Sequence, residues 1–244
     1  MQDNKQQTLN ASEDEEYREF KRVQKMNEAK ANVSKIECDC LSPLMDKVSL
    51  KEMCKSANAI EMGGIVVPPN IVKACVSYLG KDPKVSLIAG IGFPYGGELT
   101  EIKAAAVKRA VRDGVDEAEV WAPTVFLRDG NFAYFKKECK KIKKAGKNCA
   151  VRVVLDCKSL GEKELVRAAV TAVDTGIDCV RLSGADGELV AKVKAALKGR
   201  GHIKADRADS ALAFVNLCTA GADTVGCTSA LDLANYLLKQ AEAE

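Results

Sequence analysis

Residues 165–184, LVRAAVTAVDTGIDCVRLSG, form one helix-and-strand unit that indicates the fold. Apolar residues such as Leu165 and Ala169 recur at helical spacing, and Gly176 follows them at a position typical of a helix stop. The run from Cys179 to Ser183 is mainly apolar and ends in a polar loop, as expected for a buried strand. The stretch therefore predicts a helix followed by a strand of a parallel sheet.

The same unit recurs along most of the chain. Short apolar runs predict eight strands: Ile36 to Leu41, Ile65 to Val67, Val85 to Ile91, Glu117 to Trp121, Val151 to Leu155, Cys179 to Ser183, His202 to Ala205 and Thr224 to Cys227. Helix-like segments follow the strands, and several end at a glycine, as at Gly114 and Gly221. Because 244 residues with 47% hydrophobic content can bury one large core, this α/β pattern favours a single (β/α)8 TIM barrel over an open doubly wound sheet.

The N-terminal segment differs from the rest of the chain. Residues 1–32 are polar and mixed in charge, so we predict a solvated arm, with a helix starting at Ser12, ahead of a barrel domain at residues 33–244. The sequence has no apolar segment of signal-peptide type and no run of about 18 apolar residues, so we expect a soluble, cytoplasmic protein. The net charge of +3 does not by itself indicate binding to nucleic acid or membranes.

Cysteine and histidine usage excludes several kinds of site. The ten cysteines are scattered, and only Cys38 and Cys40 are close neighbours, without the further pair that a zinc site needs. We therefore expect reduced, mostly buried thiols and no metal. His202 is the only histidine, which removes most serine-histidine, cysteine-histidine and multi-histidine metal sites from consideration. No cofactor is expected.

Three stretches at predicted strands carry a family resemblance, the third being the fifth strand from Val151 to Leu155. The motif GFPYGG at residues 92–97, followed by TEIK at residues 100–103, comes after the third strand, and GVDEAEV at residues 114–120 leads into the fourth. Over residues 36–240 the chain resembles the deoxyribose-phosphate aldolases. The resemblance implies a barrel whose active site lies at the carboxyl ends of the strands and cleaves 2-deoxyribose 5-phosphate through a lysine Schiff base.

The resemblance implies three catalytic positions, of which this chain substitutes two. The nucleophilic lysine is replaced by Arg181, a second lysine is matched by Lys204, and an aspartate is replaced by Glu119. Arginine stays protonated and offers no lone pair for attack on a carbonyl. We therefore predict that Arg181 pairs with Glu119 or Asp156 and closes the barrel mouth. The alternative is that Arg181 lowers the pKa of Lys204, which then becomes the nucleophile of an active class I aldolase.

A phosphate site is also implied, in altered form. The family's Gly-Gly loop is replaced by Ala205-Asp206-Arg207-Ala208, in which Asp206 adds a carboxylate near the expected phosphate and Arg207 adds a compensating cation. A phosphate-bearing small molecule remains a candidate ligand. The candidate residues for binding its phosphate are Ser183, Gly184, Gly226, Thr228 and Ser229.

A lysine-rich helix is predicted between the fourth and fifth strands. Its lysines, termed the lysine face, are Lys136, Lys137, Lys140, Lys141, Lys143, Lys144 and Lys147. Apolar residues including Phe135 and Ile142 fall on the opposite side, which is expected to pack on the barrel. The lysine face is either an ordinary solvated surface or a docking surface for a polyanion. Aromatic residues do not interleave with the lysines, which argues against single-stranded nucleic acid.

These features predict an aldolase-like barrel that has lost ordinary aldolase activity and acts by binding. By analogy with barrel aldolases that attach to actin, an acidic filament is the leading candidate partner. The sequence leaves the oligomeric state open between monomer and dimer.

Overall fold

Eight parallel strands close into a barrel with helices on its outside. The computed structural model describes residues 2–243, with side chains from residue 17 onward. The strands are β1 (Ile36–Asp39), β2 (Gly64–Val67), β3 (Ser86–Ile91), β4 (Glu117–Trp121), β5 (Ala150–Asp156), β6 (Cys179–Ser183), β7 (His202–Asp206) and β8 (Thr224–Cys227). Each strand pairs with the next, and β8 pairs with β1 to complete the ring. The predicted TIM barrel is confirmed, and every predicted strand overlaps an observed one.

The helices follow the predicted pattern of apolar faces and glycine stops. They are α1 (Gln2–Val33), α2 (Lys47–Ala59), α3 (Val72–Leu79), α4 (Thr100–Asp113), α5 (Thr124–Arg128), α6 (Phe132–Ala145), α7 (Glu162–Asp174), α8 (Gly187–Leu197), α9 (Ala211–Thr219) and α10 (Ala230–Ala243). In α7, Leu165 and Ala169 are buried, as their spacing predicts. Gly114 ends α4 with φ 103°, a left-handed conformation that favours glycine.

Helix α1 occupies the segment that was expected to be a solvated arm. Its backbone is helical from Gln2, so the prediction that the helix starts at Ser12 is wrong. The side chain of Ser12 lies outside the part of the chain whose side chains the structure describes. The helix packs against α10, and Ala29 and Val33 near its C-terminal end are buried. The division into an arm and a barrel domain stays a prediction.

The cysteines are free thiols, as predicted. Seven of the ten are buried, and the Sγ atoms of Cys38 and Cys40 lie 3.6 Å apart. Within residues 17–243, no group of three or more histidine, cysteine, aspartate or glutamate side chains is arranged to hold a metal ion. None of the helices within residues 2–243 is both long and apolar enough to cross a bilayer.

Candidate active site

The interior of the barrel contains charged side chains where TIM barrels usually carry branched apolar ones. This barrel charge cluster consists of Glu37, Asp39, Glu117, Glu119, Arg152, Arg181, Lys204 and Asp206. Alternate residues of a strand point to the same face, which brings Glu37 and Asp39 of β1 to the interior together. The cluster has five carboxylates and three cations, so each cation has more than one acidic neighbour.

Arg181 lies on β6 and contacts three carboxylates. Its Nη1 donates to Glu119 at 2.5 Å, its Nη2 donates to Asp39 at 2.6 Å, and its Nε and Nη2 donate to Asp206 at 3.0 and 2.8 Å. Burial lowers the pKa of this guanidinium, but Glu119, Asp39 and Asp206 outweigh that effect and hold the pKa well above its ordinary value. Arg181 therefore stays charged and is only 5% exposed.

Lys204 lies on β7 next to Arg181 in the strand register and is fully buried. Its Nζ lies 2.9 Å from Glu37, 3.2 Å from Glu119 and 3.4 Å from Asp39. Burial and the charge of Arg181 lower the pKa of this amine, whereas the three carboxylates raise it more, so the pKa is above its ordinary value. Arg181 lowers the pKa of Lys204, as the alternative prediction requires, but the carboxylates raise that pKa more. The amine therefore stays protonated.

Glu119 is shared by the two cations. It is fully buried, with one carboxylate oxygen bonded to Arg181 and the other to Lys204. Burial raises its pKa, but Arg181, Lys204 and Arg152 lower it more, so the net shift is downward. A general base near neutral pH needs a pKa close to 7 and a free oxygen, and Glu119 has neither.

The prediction named Glu119 or Asp156 as the partner of Arg181, and the pairing with Glu119 is confirmed. Asp156 instead accepts from the backbone N–H of Lys158 at 3.1 Å and from the hydroxyl of Ser159. Short side chains such as aspartate often bond to nearby backbone in this way.

A second part of the barrel charge cluster lies deeper and was not predicted. Arg152 Nη1 donates to both carboxylate oxygens of Glu37, at 2.7 and 2.8 Å, and its Nε donates to Glu117 at 2.5 Å. Burial raises the pKa of Glu37, but Lys204 and Arg152 outweigh it and lower that pKa to about 2. Glu37 therefore links Arg152 to Lys204. The sequence signal that could have identified this part is a charged residue inside an apolar strand run, such as Arg152 in β5.

The candidate phosphate residues do not gather around one site. A cavity of about 440 Å³ lies at the carboxyl ends of the strands, here called the mouth cavity, and Ser183, Gly226 and Thr228 line it. The N–H of Gly184 is already bonded to the carboxylate of Asp206 at 2.7 Å. Ser229 lines an adjoining cleft beside α10, which shares Asp209 and Cys227 with the mouth cavity. The internal Asp206 carboxylate thus occupies a donor that a phosphate would need.

Gly226 faces the barrel charge cluster. A Cβ at this position would lie 3.0 Å from Cε of Lys204 and 3.2 Å from a carboxylate oxygen of Asp39. A side chain at this position would therefore require Lys204, Asp206 or Asp39 to shift by a few tenths of an ångström.

The walls of the mouth cavity are aromatic on one part and acidic on another. The aromatic residues are Phe93, Tyr95 and Trp121, and the acidic residues are Asp39, Asp156, Asp206 and Asp209. Arg207 belongs to the loop that replaces the family's Gly-Gly loop. It is exposed in the mouth cavity and has φ 72°. This left-handed conformation is unfavourable for a residue with a side chain. The acidic wall opposes binding of a phosphate dianion, and Arg207 is the exposed cation of the cavity lining.

The lysine face lies on the outer surface of α6. Its predicted apolar side is confirmed, because Phe132, Phe135, Cys139 and Ile142 are buried. The helix ends at Ala145, so Lys147 lies beyond it, contrary to the prediction that all seven lysines share the helix.

Two of the lysine-face residues already have acidic partners. Lys143 is half-buried and lies 2.5 Å from Asp178, and Lys141 pairs with Glu101. The remaining members are exposed and form no ion pair with a carboxylate within residues 17–243: Lys136, Lys137, Lys140, Lys144 and Lys147.

The chain is similar to several proteins named as aldolases. Deoxyribose-phosphate aldolase of Mycoplasma capricolum is 27% identical over 215 residues, which cover 84% of this chain and 94% of that protein. That of Clostridium botulinum is 32% identical over 148 residues, which cover 61% of this chain and 69% of that protein. The solved structure of QR15, an aldolase, matches with a TM-score of 0.81 at 24% identity and covers 86% of this chain and 97% of its own. No family model matches the sequence.

Proposed function

The chain belongs to the deoxyribose-phosphate aldolase family, and from this premise we propose that it has lost the family's Schiff-base chemistry and acts by binding. The observation that carries the proposal is the state of the two cations at the catalytic positions. Arg181 cannot act as a nucleophile, since a guanidinium has no free lone pair. Lys204 is a protonated amine held between three carboxylates. Neither residue offers the neutral amine that attack on an aldehyde requires.

The geometry around Lys204 also opposes its use as a replacement nucleophile. The amine is fully buried, and its reaction would require loss of a proton while Glu37, Asp39 and Glu119 remain ionised beside it. An amine activated for Schiff-base formation instead needs desolvation without such acids, or a dominant cationic neighbour. The alternative of an active class I aldolase with Lys204 as nucleophile is therefore the weaker proposal.

Turnover of 2-deoxyribose 5-phosphate tests this proposal. We expect cleavage slower than that of an ordinary family member by several orders of magnitude, because covalent catalysis is lost. The matched variants are Lys204→Met and Lys163→Met, the second of which removes an exposed lysine. A turnover of about 1 s⁻¹ or more that disappears in Lys204→Met and persists in Lys163→Met would establish the alternative.

Reconstruction of the family residues provides a second test. Arg181→Lys alone is expected to recover little activity, because Glu119 and the loop at residues 205–208 remain unlike the family's. Arg181→Lys combined with Glu119→Asp, Arg207→Gly and Ala208→Gly is expected to recover more. Full recovery by Arg181→Lys alone would show that the rest of the site is intact.

For the binding partner we propose an acidic filament such as actin, which contacts the lysine face. The supporting observation is that five exposed lysines, from Lys136 to Lys147, form no ion pair within residues 17–243. Like charges close together on one helix repel one another, and an acidic partner removes that repulsion. A filament presents repeated acidic surface, which suits several exposed cations close together.

Cosedimentation with actin filaments tests the proposed partner. Binding should weaken as salt rises and should be lost when Lys136, Lys137 and Lys140 are changed to glutamate. The matched control changes Lys47, Lys51 and Lys81 to glutamate, since these lysines are exposed away from α6 and the net charge changes equally. Equal loss in both triple variants would mean that only net charge matters, and unchanged binding in the first would place the contact elsewhere.

A further inference from the structure

A basic cleft lies between the C-terminal halves of α4 and α6. It has a volume of about 460 Å³, and four of its eight lining residues are cations. Lys108 and Arg112 come from α4, Lys144 comes from α6, and Lys147 comes from the loop after α6. Asn148 adds an amide, and none of the described lining residues is acidic. This feature is called the basic cleft below.

The four cations of the basic cleft have no carboxylate partner among residues 17–243. The nearby Asp113 is bonded to Arg109 at 2.6 Å and lies 3.8 Å from Lys73. The only acid of α6, Glu138, is buried and paired with Lys103 at 2.9 Å. The acidic groups of the two helices are therefore already engaged elsewhere.

Helix dipoles explain only part of this arrangement. A cation in the last turn of a helix is stabilised by the unsatisfied carbonyl groups there. That accounts for Arg112 and Lys144, which lie in the last turns of α4 and α6. It does not account for Lys108, which lies further back in α4, or for Lys147, which lies beyond α6. Four unpaired cations around one concavity repel one another unless an anion lies between them.

We infer that the basic cleft binds a compact ligand with several adjacent phosphate groups. Arginine binds phosphate through two parallel N–H groups, and lysine binds it as a point charge. A cleft of this size admits a small polyanion. Lys144 and Lys147 belong to both the basic cleft and the lysine face, whereas Lys108 and Arg112 belong to the cleft alone.

The basic cleft is separate from the mouth cavity. The C-terminal ends of α4 and α6 lead through Gly114 and Gly146 into the starts of β4 and β5, so the cleft lies at the opposite end of the barrel from the mouth cavity. The inference goes beyond the proposed function, because it requires neither the loss of aldolase chemistry nor binding to a filament.

Isothermal titration with inorganic tripolyphosphate tests the inference. The parent protein should bind one tripolyphosphate per chain, with affinity that falls as salt rises. The double variant Lys108→Gln with Arg112→Gln should bind at least about tenfold more weakly, since it removes two of the four cations. Both residues are exposed, and melting curves of the variant should match the parent.

The matched control is Lys136→Gln with Lys137→Gln, which removes two charges from α6 outside the cleft. This variant should bind tripolyphosphate within about threefold of the parent. Equal weakening by both double variants, absence of saturable binding in the parent, or equal affinity for tripolyphosphate and inorganic phosphate would overturn the inference. The α4 variant should still cosediment with a filament if the lysine face binds one, so failure of either proposal is seen separately.

Discussion

Replacement of Arg181 by methionine tests the role of the barrel charge cluster. The guanidinium is shared by Asp39, Glu119 and Asp206, all of which are largely buried. Removal of one partner of a buried ion pair leaves an uncompensated charge and costs about 3 to 5 kcal/mol of unfolding free energy. For a chain of this size, each kcal/mol lowers Tm by about 2 to 4 °C, so a decrease of about 6 to 20 °C is expected.

Urea unfolding at pH 7 measures the loss directly. The matched control is Arg109→Met, which breaks the 2.6 Å pair between Arg109 and Asp113 on the surface of α4. Because the Arg109 side chain is 57% exposed, its removal should cost about 1 kcal/mol or less. The reasoning is refuted if Arg181→Met lies within about 1 kcal/mol of the parent at pH 7, since the three carboxylates would then not depend on Arg181.

The pH dependence gives a further check on the same variant. Neighbouring cations hold the pKa of Glu119 below its ordinary value and lower that of Glu37 from 4.5 to about 2. Carboxylates with lowered pKa stabilise the folded state above their unfolded pKa, and this stabilisation is lost as pH falls through the folded pKa. Arg181→Met removes the largest cationic influence on Glu119. The stability difference between parent and variant should therefore be largest near pH 7 and shrink as pH falls below about 4.5.

Two other substitutions test the packing around the site by thermal melting. Gly226→Ala should cost about 1 to 3 kcal/mol, because its Cβ would lie 3.0 Å from Lys204, and a melting temperature equal to the parent's would show that the interior can adjust. Lys103→Met should cost about 3 kcal/mol or more by leaving buried Glu138 unpaired, and the added change Glu138→Gln should restore part of the loss. No restoration would mean that the ion pair is not the cause.

The fold could be predicted from sequence because its signals are local. Gly114 ends α4 in the left-handed conformation that its position after an apolar helix predicts, and β4 begins three residues later at Glu117. Each helix and strand carries its own apolar pattern, so eight repeats of the unit determine the barrel with little information from distant residues.

Most contacts of the barrel charge cluster could not be predicted, because they depend on barrel closure. Asp39 and Arg181 are 142 residues apart in sequence and meet only when β1 and β6 are both placed around the barrel. Arg152 lies inside a predicted apolar strand, and the sequence does not show which of its two faces points inward. The contact of Arg181 with Glu119 could be predicted, because the family resemblance placed both residues at one site.

Asp156 shows why the sequence could not choose between the two alternative partners of Arg181. Its position at a strand end made it an alternative partner for Arg181, but a local turn satisfies its carboxylate instead. Competition between local backbone bonding and a distant ion pair is decided by geometry that strand patterns do not contain.

Borohydride trapping tests the central claim, which is that the site holds no amine able to attack an aldehyde. The protein is incubated with 2-deoxyribose 5-phosphate and sodium borohydride, and the adducts are located by intact mass measurement and peptide mapping. We predict that the peptide containing Lys204 remains unmodified, because its amine is protonated and fully buried among carboxylates. A near-stoichiometric adduct on Lys204, absent from Lys204→Met, would contradict the account and establish an active aldolase.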